Sequence, residues 1–173
     1  MINQPATLNE KLQVLYFKVT DIWKRFCEEH TLLLDKTFEE YSLLLASNVD
    51  AIEELMVEKN DILSRINFLE NARTRVIGEL NTLLKENNQK EIESVSELIS
   101  VMGAYESVNN AHHLRRFNAL LIDLIEKLQT QNKKNQLFLN KAINNLREIR
   151  EDALGVKSYS TYNNKGLSKR AAR

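Results

Sequence analysis

Three histidines, one cysteine and several paired carboxylates are the residues of this chain with the chemistry for catalysis or metal binding. His112 and His113 are adjacent and so point about 100° apart on a helix, whereas a helical metal site needs ligands on one face, as in i, i+4 pairs. His30 has neither His nor Cys four residues away. Glu28-Glu29, Glu39-Glu40 and Glu53-Glu54 carry the right groups for acid and base work. Nothing beside them marks a pocket, and such pairs more often form a solvated helix face. Cys27 lies beside the apolar residues of its segment, which suits a buried small hydrophobe better than a nucleophile. There is no glycine-rich phosphate loop. The residues therefore point to binding rather than to an enzyme, with no catalytic, metal or cofactor site.

The elements that would position any site are written in a seven-residue beat. Ile52, Leu55, Lys59, Ile62, Ile66, Leu69, Arg73, Val76, Leu80 and Leu83 follow one another in steps of three and four. Spacing of this kind keeps one narrow stripe of a helix turned toward a partner helix over many turns. Lys59 and Arg73 interrupt the seam. Their stems can lie along it while the charges reach water or an acidic neighbour, or they can set register between helices or contact a partner. A first helix begins near residue 8, where Thr7-Leu8-Asn9-Glu10 reads as a capping box. Its seam runs through Leu8, Leu12, Leu15, Val19, Ile22 and Phe26 and less regularly through His30, Leu33, Thr37, Tyr41 and Leu44, and the flanking Tyr16, Trp23, Cys27, Leu34, Phe38 and Leu45 widen the stripe enough to meet more than one helix.

Ala46-Ser47-Asn48-Val49-Asp50 reads as a turn, after which a second helix of matching length ends near Glu86. Equal lengths and a short turn predict an antiparallel hairpin in which Ile62 and Ile66 are buried. A polar loop at Asn87–Lys90 leads to a short amphipathic helix through Ile92, Val95, Leu98, Ile99 and Met102, weakened at Gly103. A third long helix is expected from about Glu106 to Leu154, with Gln131 and Asn135 on its seam. The division is thus a helical domain, 1–154, and a flexible basic tail, 155–173, expected to be disordered.

Breakers are nearly absent: Pro5 is the one proline and there are four glycines in 173 residues. That favours an all-α fold. Formal net charge is zero, so no global field draws the chain to nucleic acid or anionic membrane. The distribution is uneven, with ten acids against Lys36 and Lys59 between Glu28 and Asp61, and five bases with no acid after Asp152. A lone Cys27 excludes a disulfide-stapled secreted fold. With neither a signal-like start nor an apolar run of about 20 residues, a cytoplasmic location without membrane insertion is expected.

Late in the third helix, Phe138, Leu139, Ala142, Ile143, Leu146, Ile149 and Ala153 form an apolar stripe. The hairpin can cover only part of so long a helix, so the stripe either packs on the hairpin or docks another protein's helix.

Three stretches together resemble the FlgN family of bacterial flagellar export chaperones: DAIEELMVEKNDILSRINFLE with Glu58-Lys59, NKKNQLFLNKAINNL with Asn132 and Asn135, and TYNNKG with Tyr162 and Gly166. The resemblance implies a chaperone for bacterial flagellum biogenesis that binds the hook-filament junction proteins and delivers them to the cytosolic domain of the membrane export gate in type III protein export. It places the client on the stripe from Phe138 to Ala153, and gate docking on Tyr162 and Gly166, with Tyr159 as a neighbouring candidate. The resulting expectation is an elongated antiparallel coiled-coil bundle of three long helices and one short one, monomeric or weakly homodimeric. A structural coiled-coil adaptor or homo-oligomerisation module without an unfolded client is the alternative.

Overall fold

The computed structural model describes residues 7–106 and 112–154, together with the backbone of 161–162 and 168–169. It is all-helical apart from one two-residue strand pair: α1 (Leu8–Ala46), α2 (Val49–Glu86), α3 (Val95–Gly103) and α4 (His113–Ala153). By contact the chain divides into two compact units, Met1–Asn132 and Lys133–Arg173.

In the first unit the sequence sets the helix ends through side-chain caps. Thr7 N–H donates to Glu10 Oε2 at 2.8 Å and Glu10 N–H to Thr7 Oγ1 at 3.4 Å, completing the expected capping box. Ser47 adopts a left-handed φ of 52° and closes α1 by donating its N–H to Leu43 and Leu44 carbonyls. Asn48 then caps α2 through its side chain, which accepts from Ala51 N–H at 3.3 Å. A two-residue turn thus reverses the chain.

Interhelical pairs show the hairpin to be antiparallel. Lys18 meets Glu79 at 3.0 Å, Arg65 meets Glu29 at 2.9 Å, Lys36 meets Glu58 at 2.5 Å and Lys59 meets Glu40 at 2.7 Å. From Lys18–Glu79 through Glu29–Arg65 to Lys36–Glu58, positions rise on α1 as they fall on α2. Ile62 is buried as expected, but Ile66 is half-buried, because it lies at the edge of the stripe where a groove opens beside Trp23 and Phe26.

Lys59 is 8% exposed and its ammonium sits on Glu40, so this seam lysine serves the interhelical pairing. Arg73 pairs instead with Glu70 of its own helix. Removing one partner of a buried pair strands the other's charge, whereas replacing both with apolar groups of similar volume removes the desolvation cost as well. Glu40→Ala is therefore expected to destabilise by about 3 kcal/mol, and Lys59→Met with Glu40→Met by much less. Urea unfolding of both variants measures the difference.

The core is thickest where α3 joins the hairpin. Leu80, Leu84, Leu98, Met102, Val19 and Leu114 are almost wholly buried, and Leu12, Tyr16, Trp23 and Phe26 complete the cluster. Asn81 holds the entering segment in place, donating to Ile92 O at 3.1 Å and accepting from Ile92 N–H at 2.8 Å. Ser94 caps α3 by accepting from Glu97 N–H at 3.2 Å.

The first half of α4 runs alongside α1 in the same direction. Trp23 Nε1 donates to Asn118 Oδ1 at 3.2 Å, and Cys27 and Leu34 cluster with Leu124 and Leu128. Glu106, its side chain 7% exposed, anchors the start of α4, accepting from Leu114 N–H at 3.2 Å and from the Tyr16 hydroxyl at 3.4 Å. Burial first, with the nearby Glu106 charge adding to it, raises the Tyr16 pKa. The helix begins at His113, later than the expected Glu106; residues 107–111 lie outside the described residues.

In the second unit α4 continues to Ala153, and Thr161–Tyr162 pairs antiparallel with Ser168–Lys169 in the register Thr161↔Lys169, Tyr162↔Ser168. Those four residues were expected to lack structure; Thr and Tyr favour extended pairing. The rest of the tail, with Tyr159 and Gly166, lies outside the described residues.

Candidate protein-binding site on the fourth helix

Continuous helix from Lys133 to Ala153 presents the stripe in a form able to bind. Residues three and four apart lie on one face, so Leu139, Ala142, Leu146, Ile149 and Ala153 form one row, with Phe138 and Ile143 beside it. Leu139 is 38% exposed, Ile143 52%, Leu146 66% and Ile149 64%. Phe138 and Ala142 are half-buried and Ala153 is exposed. Leu154, outside the expected stripe, is exposed too and extends it, whereas the exposed Leu137 lies on the opposite face of the helix. Large aliphatic side chains exposed together on one helix face make this stripe a candidate interaction surface. A hollow lined by Ile143, Leu146 and Leu154 also carries Arg147, Arg150 and Glu151, which offers charged groups around an apolar floor. Such a surface suits an amphipathic helix whose apolar residues enter the floor while its polar residues meet the rim. The Leu and Ile side chains themselves supply no nucleophile or general base.

The other residues with reactive chemistry are placed elsewhere. Cys27 is buried, and its Sγ donates to Phe117 O at 3.2 Å. Burial first, and the nearby Glu28 charge second, push the thiol pKa up, which suppresses the thiolate that a nucleophile needs. His30 Nδ1 lies 2.7 Å from Phe26 O, and His112 Nδ1 lies 3.4 Å from Glu106 Oε2. Among the described residues no group of three or more His, Cys, Asp or Glu is placed to hold a metal ion. No described helix is long and apolar enough to cross a membrane. Gln131 and Asn135, polar residues at seam positions, are 4% and 3% exposed, so both do occupy buried sites.

Sequence reasoning did not single out Val49, Met56 and Leu63, which are 63%, 40% and 46% exposed on α2. Their seven-residue spacing was the signal, masked by the stronger seam beside it.

The described residues form a helical protein with an exposed apolar stripe on its last helix. The FlgN protein family model matches residues 15–170, nearly the whole chain, and the chain belongs to the FlgN family of flagellar export chaperones. Searches of curated proteins and of solved structures returned no match.

Proposed function

We propose that this chain is a cytoplasmic chaperone of type III flagellar export that binds hook-filament junction proteins through the C-terminal part of α4 and delivers them to the export gate. The observation that carries this reading is the exposure of Ile143, Leu146 and Ile149 on a single helix face. An export client kept from folding offers an amphipathic terminal segment that would otherwise self-associate. The row from Phe138 to Ala153 covers such a segment, and its loss of water-exposed apolar area drives the binding. In this reading residues 1–154 form the helical chaperone domain, an antiparallel coiled-coil bundle, and residues 155–173 act as a separate docking tail. Binding of purified chain to the terminal segment of a hook-filament junction protein, followed by calorimetry, tests it. Saturation at 1:1 is expected, and no heat at any accessible concentration overturns it.

Gate docking is assigned to the tail, with Tyr162 as anchor and Tyr159 and Gly166 beside it. A tyrosine joins a large apolar ring to a hydroxyl, the combination that fills a pocket on a partner and satisfies a hydrogen bond there. Lys165, Lys169 and Arg170 add salt-sensitive attraction to an acidic surface. Tyr162→Ala is expected to leave client affinity unchanged and to weaken the complex's affinity for the cytosolic domain of the gate about tenfold or more. Unchanged gate affinity, with Tyr159→Ala also silent, removes the tail from delivery.

A further inference from the structure

The apolar stripe of α4 is unequal at its two edges. Leu139, Ala142, Leu146, Ile149 and Ala153 follow one another in steps of three and four along its middle. That spacing sets Ile143 and Arg150 along one edge and Phe138, Asn145 and Asp152 along the other. Arg147, three residues before Arg150, lies on the same side and lines the hollow with it beside Ile143, Leu146 and Leu154. Glu151, in the same lining, lies beyond Arg147 from the apolar row. Both arginines are exposed, and within the second unit neither is paired with a described acid. The bases along the hairpin differ: Lys18, Lys36, Lys59 and Arg65 are each held by an acid of the facing helix.

A guanidinium offers a planar fork that takes a carboxylate through two parallel N–H donors, and the pairing strengthens beside apolar surface that excludes water. Two such forks three residues apart, with about 5–6 Å between Cβ atoms, match two carboxylates on adjacent turns of a second helix. We infer that Arg147 and Arg150 select what covers the stripe: an amphipathic helix whose apolar face carries, along the edge toward the arginines, two Asp or Glu residues three or four apart. This names the chemistry of the client site assigned above and rests on that assignment. An anionic bilayer fits less well, because a flat surface meets both edges alike and Asp152 stands on the other one. A second copy fits less well too. Laid antiparallel, it sets arginine edge against arginine edge, and laid parallel in register it sets Arg150 beside the uncharged Asn145.

Two synthetic helical peptides of about 16 residues, the length of the stripe, test this by calorimetric titration into the full chain. They share one Leu/Ala seam and differ only at two positions along one edge, Glu in the first and Lys in the second. The Glu peptide is expected to bind at least about tenfold more tightly at about 0.05 M salt, with the advantage falling to about twofold at 0.5 M as screening shortens the reach of exposed charges. Arg147→Glu with Arg150→Glu should reverse the preference, and Arg147→Gln with Arg150→Gln should abolish it. Arg147→Lys with Arg150→Lys should keep a smaller preference, since an ammonium retains the charge but not the fork. All three variants should keep wild-type helicity by circular dichroism, because the positions are exposed. Equal affinity of the two peptides for the wild-type chain overturns the inference and leaves the proposed client site standing. Binding of neither peptide also overturns it, and takes the client site with it if the terminal segment of a hook-filament junction protein fails to bind as well. Arginine-dependent binding to vesicles of equimolar phosphatidylcholine and phosphatidylglycerol, as tight as to the Glu peptide, overturns it in favour of a membrane surface. Arginine-dependent sedimentation of the chain alone as a dimer overturns it in favour of a second copy.

Discussion

Replacing Ile143 and Leu146 by Asp is expected to lower client affinity by at least about two orders of magnitude while leaving thermal stability nearly unchanged. Burying an aliphatic side chain contributes about 1.5–3 kcal/mol, so losing two such contacts removes about 3 kcal/mol or more. That alone corresponds to about a hundredfold in the dissociation constant. A carboxylate facing an apolar partner adds the cost of removing its charge from water. In the free chain both side chains are more than half exposed, so substitution there should change stability by no more than about 0.5 kcal/mol. Calorimetric titration with the client segment, beside a thermal melt, separates the two effects. Ile143→Ser with Leu146→Ser removes the apolar area without adding charge and should show the smaller part of the loss. A double variant that melts far below the wild type would make these residues core and end the assignment of the stripe to a client.

Leu80→Ala carries the largest expected loss of stability, about 3 to 5 kcal/mol. Leu80 is wholly buried in the cluster where α1, α2, α3 and the start of α4 meet, so truncation leaves a cavity that rigid helices on several sides cannot close. Ile66→Ala, one column away and half-buried at the mouth of the groove, should cost clearly less, because part of its surface already meets water. Chemical denaturation monitored by helicity gives both values. Equal losses would mean that the groove beside Ile66 is closed in solution. A loss at Leu80 below about 1 kcal/mol would mean that α3 does not cover α2 as described.

How far the sequence reading reached follows from the range of the forces involved. Helix ends are decided within four residues, by Thr7, Glu10, Ser47 and Asn48 satisfying neighbouring backbone groups, and they fell where the reading put them. The heptad seam likewise declares its own partner, since a stripe repeated over many turns can be buried only by another helix of similar length. Lys59 found its acidic neighbour on α1 for the same reason. The composition of the row from Phe138 to Ala153 was legible as apolar, and the family was legible from three short stretches.

Exposure was not legible, because periodicity says which side chains share a face and not whether another part of the chain covers it. The reading of that row left packing and docking open; within the second unit Ile143, Leu146 and Ile149 are more than half exposed. Ile66 belongs to the same seam as Ile62, yet it stops short of burial because α3, the helix over that side, reaches the groove only with its first residue, Val95. Glu106 reads in sequence as one more acid, and becomes the anchor of α4 only when Tyr16, ninety positions away, and Leu114 are brought to it. By itself the sequence determined the first two helices, their ends and the hairpin, since these rest on hydrogen bonds and apolar spacing local to the chain, whereas the start of α4 fell later than the spacing suggested. Which apolar columns are covered and which are left for a partner was decided by the tertiary structure, because covering a face depends on where a distant segment ends.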